Sequence, residues 1–331
     1  MCQDEQITLE QIEILLGAAT AAPSMHNTQP WRFEVNGHVI DVFLDGARVL
    51  PAEDPSGRAM RIAAGAAVLN VRVAAAHLGY DSWFGLAPCP EEPDLMARIV
   101  LEPSEAVDPA LRALYREVSR RHTDRRPAPP VGIPDGVRVA VLRAACAENA
   151  ELTWLPQAAV IETLELVREA EVRGLVDWNR AAERRRWVGG SRTEDGIPAA
   201  ALGPRSTAYP AVVRDLGVSP LDRLRPVARF EKQPALAVLS SAGDTDVDQL
   251  VAGMALQRVL LTATRHGLSA SFLNQPLEYD DLRVRVQKVT GNPGHAHMLI
   301  RFLPRVMGEH APRRPVASYL RPARTSEAVT S

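Results

Sequence analysis

Lysine is almost absent from this chain. Of its 38 basic residues only Lys232 and Lys288 are lysine, and the rest are arginine. Genomic base composition produces such a bias, although arginine also suits two-pronged contacts to phosphate. Charge of one sign is lacking too. The formal net charge is -2, so no basic field points to nucleic acid or to an anionic membrane surface. Cysteine is scarce, with Cys2, Cys89 and Cys146 far apart and no Cys-x-x-Cys pair. That excludes a disulfide framework and a thiolate metal site, and fits a reducing compartment. The first residues are acidic and polar, without the basic start and apolar core of a secretory leader. No unbroken apolar run approaches the ~20 residues that span a bilayer. The expected location is therefore the cytoplasm. Three catalytic signatures are missing as well: no Gly-x-Gly-x-x-Gly, no Walker loop and no Gly-x-Ser-x-Gly.

What remains is an ordinary globular balance, 46% hydrophobic and 24% charged, in 331 residues. A chain of this size buries a full core and is expected to form two lobes. Thr8 and Gln11 have capping-box spacing, and Leu9, Ile12, Leu15, Leu16 and Ala19 form an apolar stripe. The spacing predicts a first helix that ends near Ala22, before Pro23. Asn36-Gly37 between two alternating runs predicts a hairpin. Ala59 to Leu78 reads as a helix stopped by Gly79, and Ala97 to Leu101 as a strand. Asp108-Pro109 opens another helix. Arg126 to Pro134 is a Pro-rich connector. Val137 to Leu142 and Glu151 to Leu155 read as strands, and Ala158 to about Trp187 as one helix. Gly189 to Pro210 reads as irregular, and the last eight residues as a frayed tail.

The chain also resembles itself. Residues 65–79 lie over residues 253–267 at an offset of 188 without gaps. Gly65/Gly253, Ala67/Ala255, Val71/Val259, Ala75/Ala263 and Gly79/Gly267 are identical pairs. The same offset pairs Phe84 with Phe272 and Pro88 with Pro276, which extends the register beyond the helix. Small residues at these positions permit close helix packing.

Two segments carry polar chemistry. Pro23-Ser24-Met25-His26-Asn27-Thr28-Gln29-Pro30-Trp31 is turn-like. Its Ser24 and Asn27 can meet the polar edge of a planar heterocycle while Met25 lines its face; an ordinary helix-to-strand loop with Trp31 in the core is the bland alternative. Arg120 to Arg126 mixes Arg121 and Arg125 with His122 and Thr123, the donor types that surround a phosphate. A solvated basic face explains the same run more simply. Arg313 and Arg314, between Pro312 and Pro315, form a second cationic pair on a stiff backbone. His295 and His297 lack a third ligand nearby and are not expected to bind metal.

Ala-Pro-Ser-x-x-Asn-x-Gln-Pro-Trp at residues 22–31 resembles the most recognisable motif of the flavin-dependent nitroreductases. Arg121, His122, Thr123 and Arg125 are similar to that family's Arg-Arg-Ser-x-Arg motif, with Thr123 replacing serine. Each motif occurs once here, in reversed order. That pattern, with Glu194-Asp195-Gly196-Ile197-Pro198, resembles the fused single-chain Acg-like branch. The resemblance implies an α+β nitroreductase-like fold of two lobes, residues 1–105 and 106–331, forming an internal pseudo-dimer around one FMN. It implies that Pro23, Ser24, Met25 and Asn27 face the flavin ring. Arg121, His122, Thr123, Arg125, Arg313 and Arg314 would hold its phosphate, and Asn274 and Gln275 would lie near its N5. It implies a lid over residues 175–210, with Trp178 and Trp187 as candidate covers of the ring. The implied activity is NAD(P)H-dependent reduction of a nitroaromatic, quinone or related small-molecule acceptor. In that family NAD(P)H stacks briefly on the flavin, so a dinucleotide fingerprint is not required. A flavin-sequestering protein with little turnover is the alternative.

Overall fold

The computed structural model describes residues 7–129, 132–207, 214–217, 224–291, 294–305 and 310–321. Helix α1 (Leu9–Thr20) begins with the anticipated capping box. The Thr8 hydroxyl accepts the Gln11 N–H at 3.2 Å, and the Gln11 side chain accepts the Thr8 N–H at 2.8 Å. Strands β1 (Trp31–Asn36) and β2 (Val39–Leu44) pair antiparallel around Gly37-His38. Gly37 supplies the positive φ of that turn, 58°. Helix α2 (Arg58–Leu78) starts where the Asp54 carboxylate accepts the N–H groups of Ala59 and Met60 and stops at Gly79. Strands β3 (Tyr80–Leu86) and β4 (Leu95–Pro103) complete a sheet of order β1-β2-β4-β3.

Two short helices follow, α3 (Pro109–Arg112) and α4 (Tyr115–Val118), before α5 (Asp135–Cys146). The strand expected at Val137 to Leu142 is thus a helix. Its β-branched residues alternate over a few positions, which mimics a strand. The wider pattern decides otherwise, because Val137, Val141, Ala144 and Ala145 share one helical face on the core. Strand β5 (Glu151–Trp154) leads into α6 (Gln157–Leu175) and α7 (Trp178–Trp187). These were expected as one helix. Asp177 interrupts it by taking extended φ/ψ and capping the N–H groups of Asn179 and Arg180. A parallel pair, β6 (Arg205–Ser206) and β7 (Val227–Ala228), separates this region from β8 (Ala235–Ser241). Then come α8 (Asp246–Arg265), β9 (Leu268–Phe272), α9 (Asp280–Thr290) and β10 (His295–Pro304). The expected frayed tail lies outside the described residues.

The second main sheet has the order β5-β8-β10-β9. Leaving out the β6–β7 pair, strands one, two, four and three of each half occupy matching places, and α2 and α8 occupy the matching place between the second and third. The two helices cross at Gly65 and Gly253, the residues that the 188-residue offset overlays. A Cβ on Gly65 would stand 2.0 Å from the Leu250 carbonyl oxygen, and one on Gly253 2.1 Å from that of Ile62. Nearby, buried Gln257 donates to Asn70 at 2.7 Å, and Asn70 donates to the Ala18 carbonyl at 2.7 Å. Helix α2 is long and apolar enough to cross a membrane, with a mean hydropathy of 1.4, but 83% of that stretch is buried inside the fold.

The crossing yields a prediction. Gly65→Ala and Gly253→Ala should each destabilise the protein by about 1–3 kcal/mol or more, the usual cost of overpacking. Thermal and urea unfolding check this. Gly17→Ala, inside α1 where an added Cβ meets nothing within 4 Å, is the control expected to unfold no earlier than the parent, because Ala favours a helix interior.

Candidate active site

The turn after α1 has an unusual backbone. His26, Asn27 and Gln29 take positive φ values of 49°, 56° and 53°, which non-glycine residues rarely adopt. Local bonds maintain it. The Ser24 hydroxyl accepts the Gln29 N–H at 2.9 Å. The Asn27 amide donates to the carbonyls of Gly196 and Pro312, both at 2.9 Å, and its oxygen accepts from Arg313 at 2.7 Å. Asn27 was expected to meet a heterocycle edge with its side chain. That side chain instead ties together three segments far apart in sequence. Trp31 is fully buried in the core.

A cavity of about 710 Å³ opens between this turn, the start of α2, the segment after α4 and the segment after β9. Of the residues singled out in the sequence, Pro23, Ser24, Met25, Asn27, Arg121, His122, Thr123, Arg125, Asn274 and Arg313 line it. Gln275 and Arg314 do not. Gln275 is buried behind the wall and donates to Glu171 at 3.2 Å. Arg314 stacks its guanidinium on Tyr319, 4.2 Å from the ring centre.

The Arg121 to Arg125 segment is clamped in place. The Asp124 N–H donates to the Ala270 carbonyl at 2.9 Å, which fixes the segment to β9. Behind it, fully buried Arg301 pairs with Glu231 and donates to the Arg126 carbonyl at 2.9 Å. Arg121, Arg125 and Arg313 then converge on the cavity. Arg121 reaches the Ala21 carbonyl at 3.3 Å and Arg125 that of Ala201 at 3.0 Å; Arg313 donates to the carbonyls of Thr20, Ala21 and Ala22. None of the three pairs with a carboxylate among the described residues. Their burial shows in their acidity. Desolvation, with Arg313 close by, pushes Arg121 down to about 9, and desolvation first of all takes Arg125 and Arg313 to about 10. Among the described residues, Arg121 Nε and His122 Nε2 are buried without a partner. His122 packs against His310 with ring centres 4.9 Å apart. Such a wall is built for an anion: several oriented donors and unbalanced positive charge in a poorly hydrated place.

Phe272 and Asn274 form the opposite wall. The Asn274 oxygen accepts the Leu299 N–H at 2.9 Å, which holds the segment against β10. In the matching segment of the first half, Leu86 and Ala87 pack against Ala64, Met96, Leu250 and Leu44.

A third wall comes from the region after α6. Ile197, Ala201, Arg214 and Leu216 line the cavity, whereas Trp178 and Trp187 do not. Trp178 is 81% exposed, and Trp187 lies under the Arg48 guanidinium. Neither tryptophan expected to cover the ring reaches the cavity, because α7 turns Arg180, Glu183 and Arg184 inward instead. Glu183 accepts the N–H groups of Ala52 and Glu53, at 3.0 and 2.9 Å. Arg184 and Arg214 donate to Glu53 at 2.5 and 3.0 Å; Arg180 and Arg214 pair with Glu278 at 2.8 and 2.6 Å. Gly196 sits at φ 73°, where a Cβ would stand 2.4 Å from the Trp187 carbonyl oxygen. It returns the Asn27 contact by donating its N–H to the Asn27 carbonyl at 3.2 Å.

Sequence reasoning missed His26, Glu53, Arg58, Arg214 and Glu278, all on the cavity wall. His26 stands at a variable place inside a recognisable motif. The other four lie in no motif, and only the tertiary fold brings them together. His297, on a bulge in β10, hydrogen-bonds the Ser241 hydroxyl at 2.6 Å; burial and the charges of Arg58 and Arg283 lower its pKa to about 3. Among the described residues no cluster of potential metal ligands forms.

No protein-family model matches the chain. Among curated proteins it is 30% identical over 318 residues to the "Putative NAD(P)H nitroreductase acg" of Mycobacterium tuberculosis, covering 95% of this chain and 96% of that one. It is also 30% identical over 294 residues to the "Putative NAD(P)H nitroreductase Rv3131" of the same organism, covering 88% and 84%. Among solved structures it is similar to an FMN-bound nitroreductase of Bacteroides fragilis, with 15% identity, TM-score 0.37 and coverage of 66% and 97%. A second, from Anabaena variabilis, has 10% identity, TM-score 0.48 and coverage of 89% and 88%. The motifs at residues 22–31 and 121–125 meet across one cavity, and the two relatives align over most of their own length: the chain belongs to the NAD(P)H nitroreductase family, in the branch that contains Acg.

Proposed function

We propose that the chain is an FMN-dependent oxidoreductase that takes electrons from NAD(P)H and passes them to a nitroaromatic, quinone or related small molecule. The observation that carries this reading is the convergence of Arg121, Arg125 and Arg313 on one cavity without a carboxylate among the described residues. A phosphate dianion satisfies that charge, and Thr123, His122 and the unpartnered Arg121 Nε add donors around it. The 710 Å³ cavity falls within the range of small-molecule and cofactor sites. Bound FMN would supply the two-electron chemistry at its N5. The chain holds and orients it: Pro23 to Asn27 on one side, Phe272 and Asn274 on the other. Gln275 and Arg314 support that site from behind. We read residues 1–105 and 106–331 as the two lobes of a duplicated unit, acting in the cytoplasm. One flavin per chain follows, because Leu86, Met96 and Leu250 fill the matching place in the first half.

A specific observation favours the second reading, a protein that sequesters flavin. The segment carrying Ile197, Ala201 and Arg214 is held on the cavity by buried ion pairs to Glu53 and Glu278. A closed wall of this kind restricts the face on which nicotinamide must stack.

Anaerobic mixing with NADPH or NADH decides between them. The reductase reading expects rapid bleaching of one flavin per chain; a flavin that stays oxidised for many minutes supports sequestration. Two flavins per chain would contradict the filled second site.

The phosphate grip gives a second expectation. Arg121→Met should weaken FMN by about 1.5–3 kcal/mol, the scale of a charge-assisted bond, and leave riboflavin binding nearly unchanged. The same substitution removes a buried, unpaired cation, so the ligand-free protein should gain stability, by about 1–4 kcal/mol. Titration and thermal unfolding read the two effects separately.

A further inference from the structure

Two buried groups on the cavity wall take no part in holding a flavin phosphate. The side chains of His26 and Glu53 are 2% and 0% exposed, and His26 Nε2 meets a Glu53 oxygen in a short hydrogen bond. Burial by itself would raise the pKa of Glu53. The charges of His26, Arg214 and Arg184 overcome it and hold the group well below the ordinary carboxylate range. Arg184 donates to it at 2.5 Å and Arg214 at 3.0 Å. An ionised carboxylate only accepts, so Nε2 is the protonated nitrogen. The other ring nitrogen, Nδ1, has no hydrogen-bond partner among the described residues. His26 sits at φ 49° and ψ 20°, a conformation unfavourable for a residue with a Cβ. The bonds of Asn27 to Gly196, Pro312 and Arg313 enforce it. A strained backbone that places an imidazole on a cavity, with a buried carboxylate behind it, is an arrangement suited to proton transfer.

We propose that His26 donates the proton that completes reduction of the acceptor and that Glu53 is its positioning residue. This rests on the flavin reading above. With a quinone as acceptor, the bound flavin, once reduced by NAD(P)H, would supply a hydride, that is two electrons and one proton, to one quinone oxygen. The second oxygen takes the Nδ1 proton of the imidazolium: the Nδ1–H bond breaks, an O–H bond forms, and hydroquinone results. His26 is left neutral with its Nε2–H on Glu53, and solvent returns the proton once product leaves. The carboxylate holds the ring by its Nε2–H and fixes which nitrogen faces the acceptor.

The test separates proton delivery from support of the wall. FMN-loaded protein is reduced anaerobically with NADPH and mixed in a stopped-flow instrument with benzoquinone, or with ferricyanide, which takes electrons and no proton. For His26→Gln, which still donates to Glu53 but cannot release a proton, reoxidation by benzoquinone should fall about 100-fold, the lower end of general acid catalysis. Reoxidation by ferricyanide should fall no more than about threefold. Glu53→Gln should show a smaller version of the same split, and it should shift the His26 ring signals in NMR spectra of the ligand-free protein. In D2O the wild type should slow with benzoquinone and not with ferricyanide, a measurement that needs no variant. Equal loss with both acceptors, no loss with benzoquinone, or the absence of an acceptor-dependent solvent isotope effect overturns the proposal. If NADPH fails to bleach the wild-type flavin, dithionite replaces it and the same comparison decides. Wild-type protein that binds no FMN overturns the flavin reading and this proposal with it.

Discussion

The near-contact of Gly65 with Gly253 is the constraint on which the architecture rests. Two helix backbones approach until the carbonyls of Ile62 and Leu250 occupy the space a side chain would need. At that distance the helices bury small residues against each other, and the buried Asn70–Gln257 pair satisfies polar groups within the seam. The crossing also fixes how far the start of α2 stands from the segment after β9. Both segments line the cavity, as do Ile62, Ala63 and Leu256 within a turn of the crossing. Packing in a water-poor seam thus bears directly on the shape of the polar site beside it.

The site itself is built against the grain of folding. Three guanidiniums lose most of their hydration and receive backbone carbonyls and the Asn27 amide oxygen in return, with no carboxylate. Elsewhere the fold treats buried arginine differently. Arg301, Arg180, Arg184 and Arg214 all have carboxylates. The contrast lies within one protein and between residues of one kind, so composition does not explain it. Positive charge is left without a paired carboxylate where Arg121, Arg125 and Arg313 meet, and also at buried Arg58 on the same cavity, which donates to the carbonyls of Leu277 and His297.

Much of this was legible beforehand, for local reasons. The capping box at Thr8, the stop at Gly79 and the hairpin at Gly37 are decided by a few neighbouring residues, and they stand where expected. The motifs at Pro23 and Arg121 were legible because each packs several polar types into one short run. The failures share a cause. The run from Val137 to Leu142 looks like a strand when read alone, and only the core face of α5 decides otherwise. Asn27 was read as facing a ligand, yet its three bonds go to Gly196, Pro312 and Arg313, which no local window contains. The tryptophans of α7 were assigned to the cavity for their chemistry, whereas the helix turns charged residues inward. Glu53 carries no signal at all: an acidic residue before a proline-containing turn becomes a buried hub only when α7 and Arg214 close over it.

The contacts of Arg313 bear on how the protein is made. Its bonds to Thr20, Ala21 and Ala22 join residues nearly three hundred positions apart, 293 in the case of Thr20. The turn that follows α1 emerges early from the ribosome, and N-terminal segments fold first during synthesis. Yet that turn lacks the partners of its three left-handed residues until Gly196, Pro312 and Arg313 have been translated. A chain under elongation therefore exposes a helix end and a strained loop while the residues up to 313 are made. The wall that carries Arg121, Arg125 and Arg313 is complete only once residue 313 has been added, and a chain that stops before it keeps most of its core without that wall.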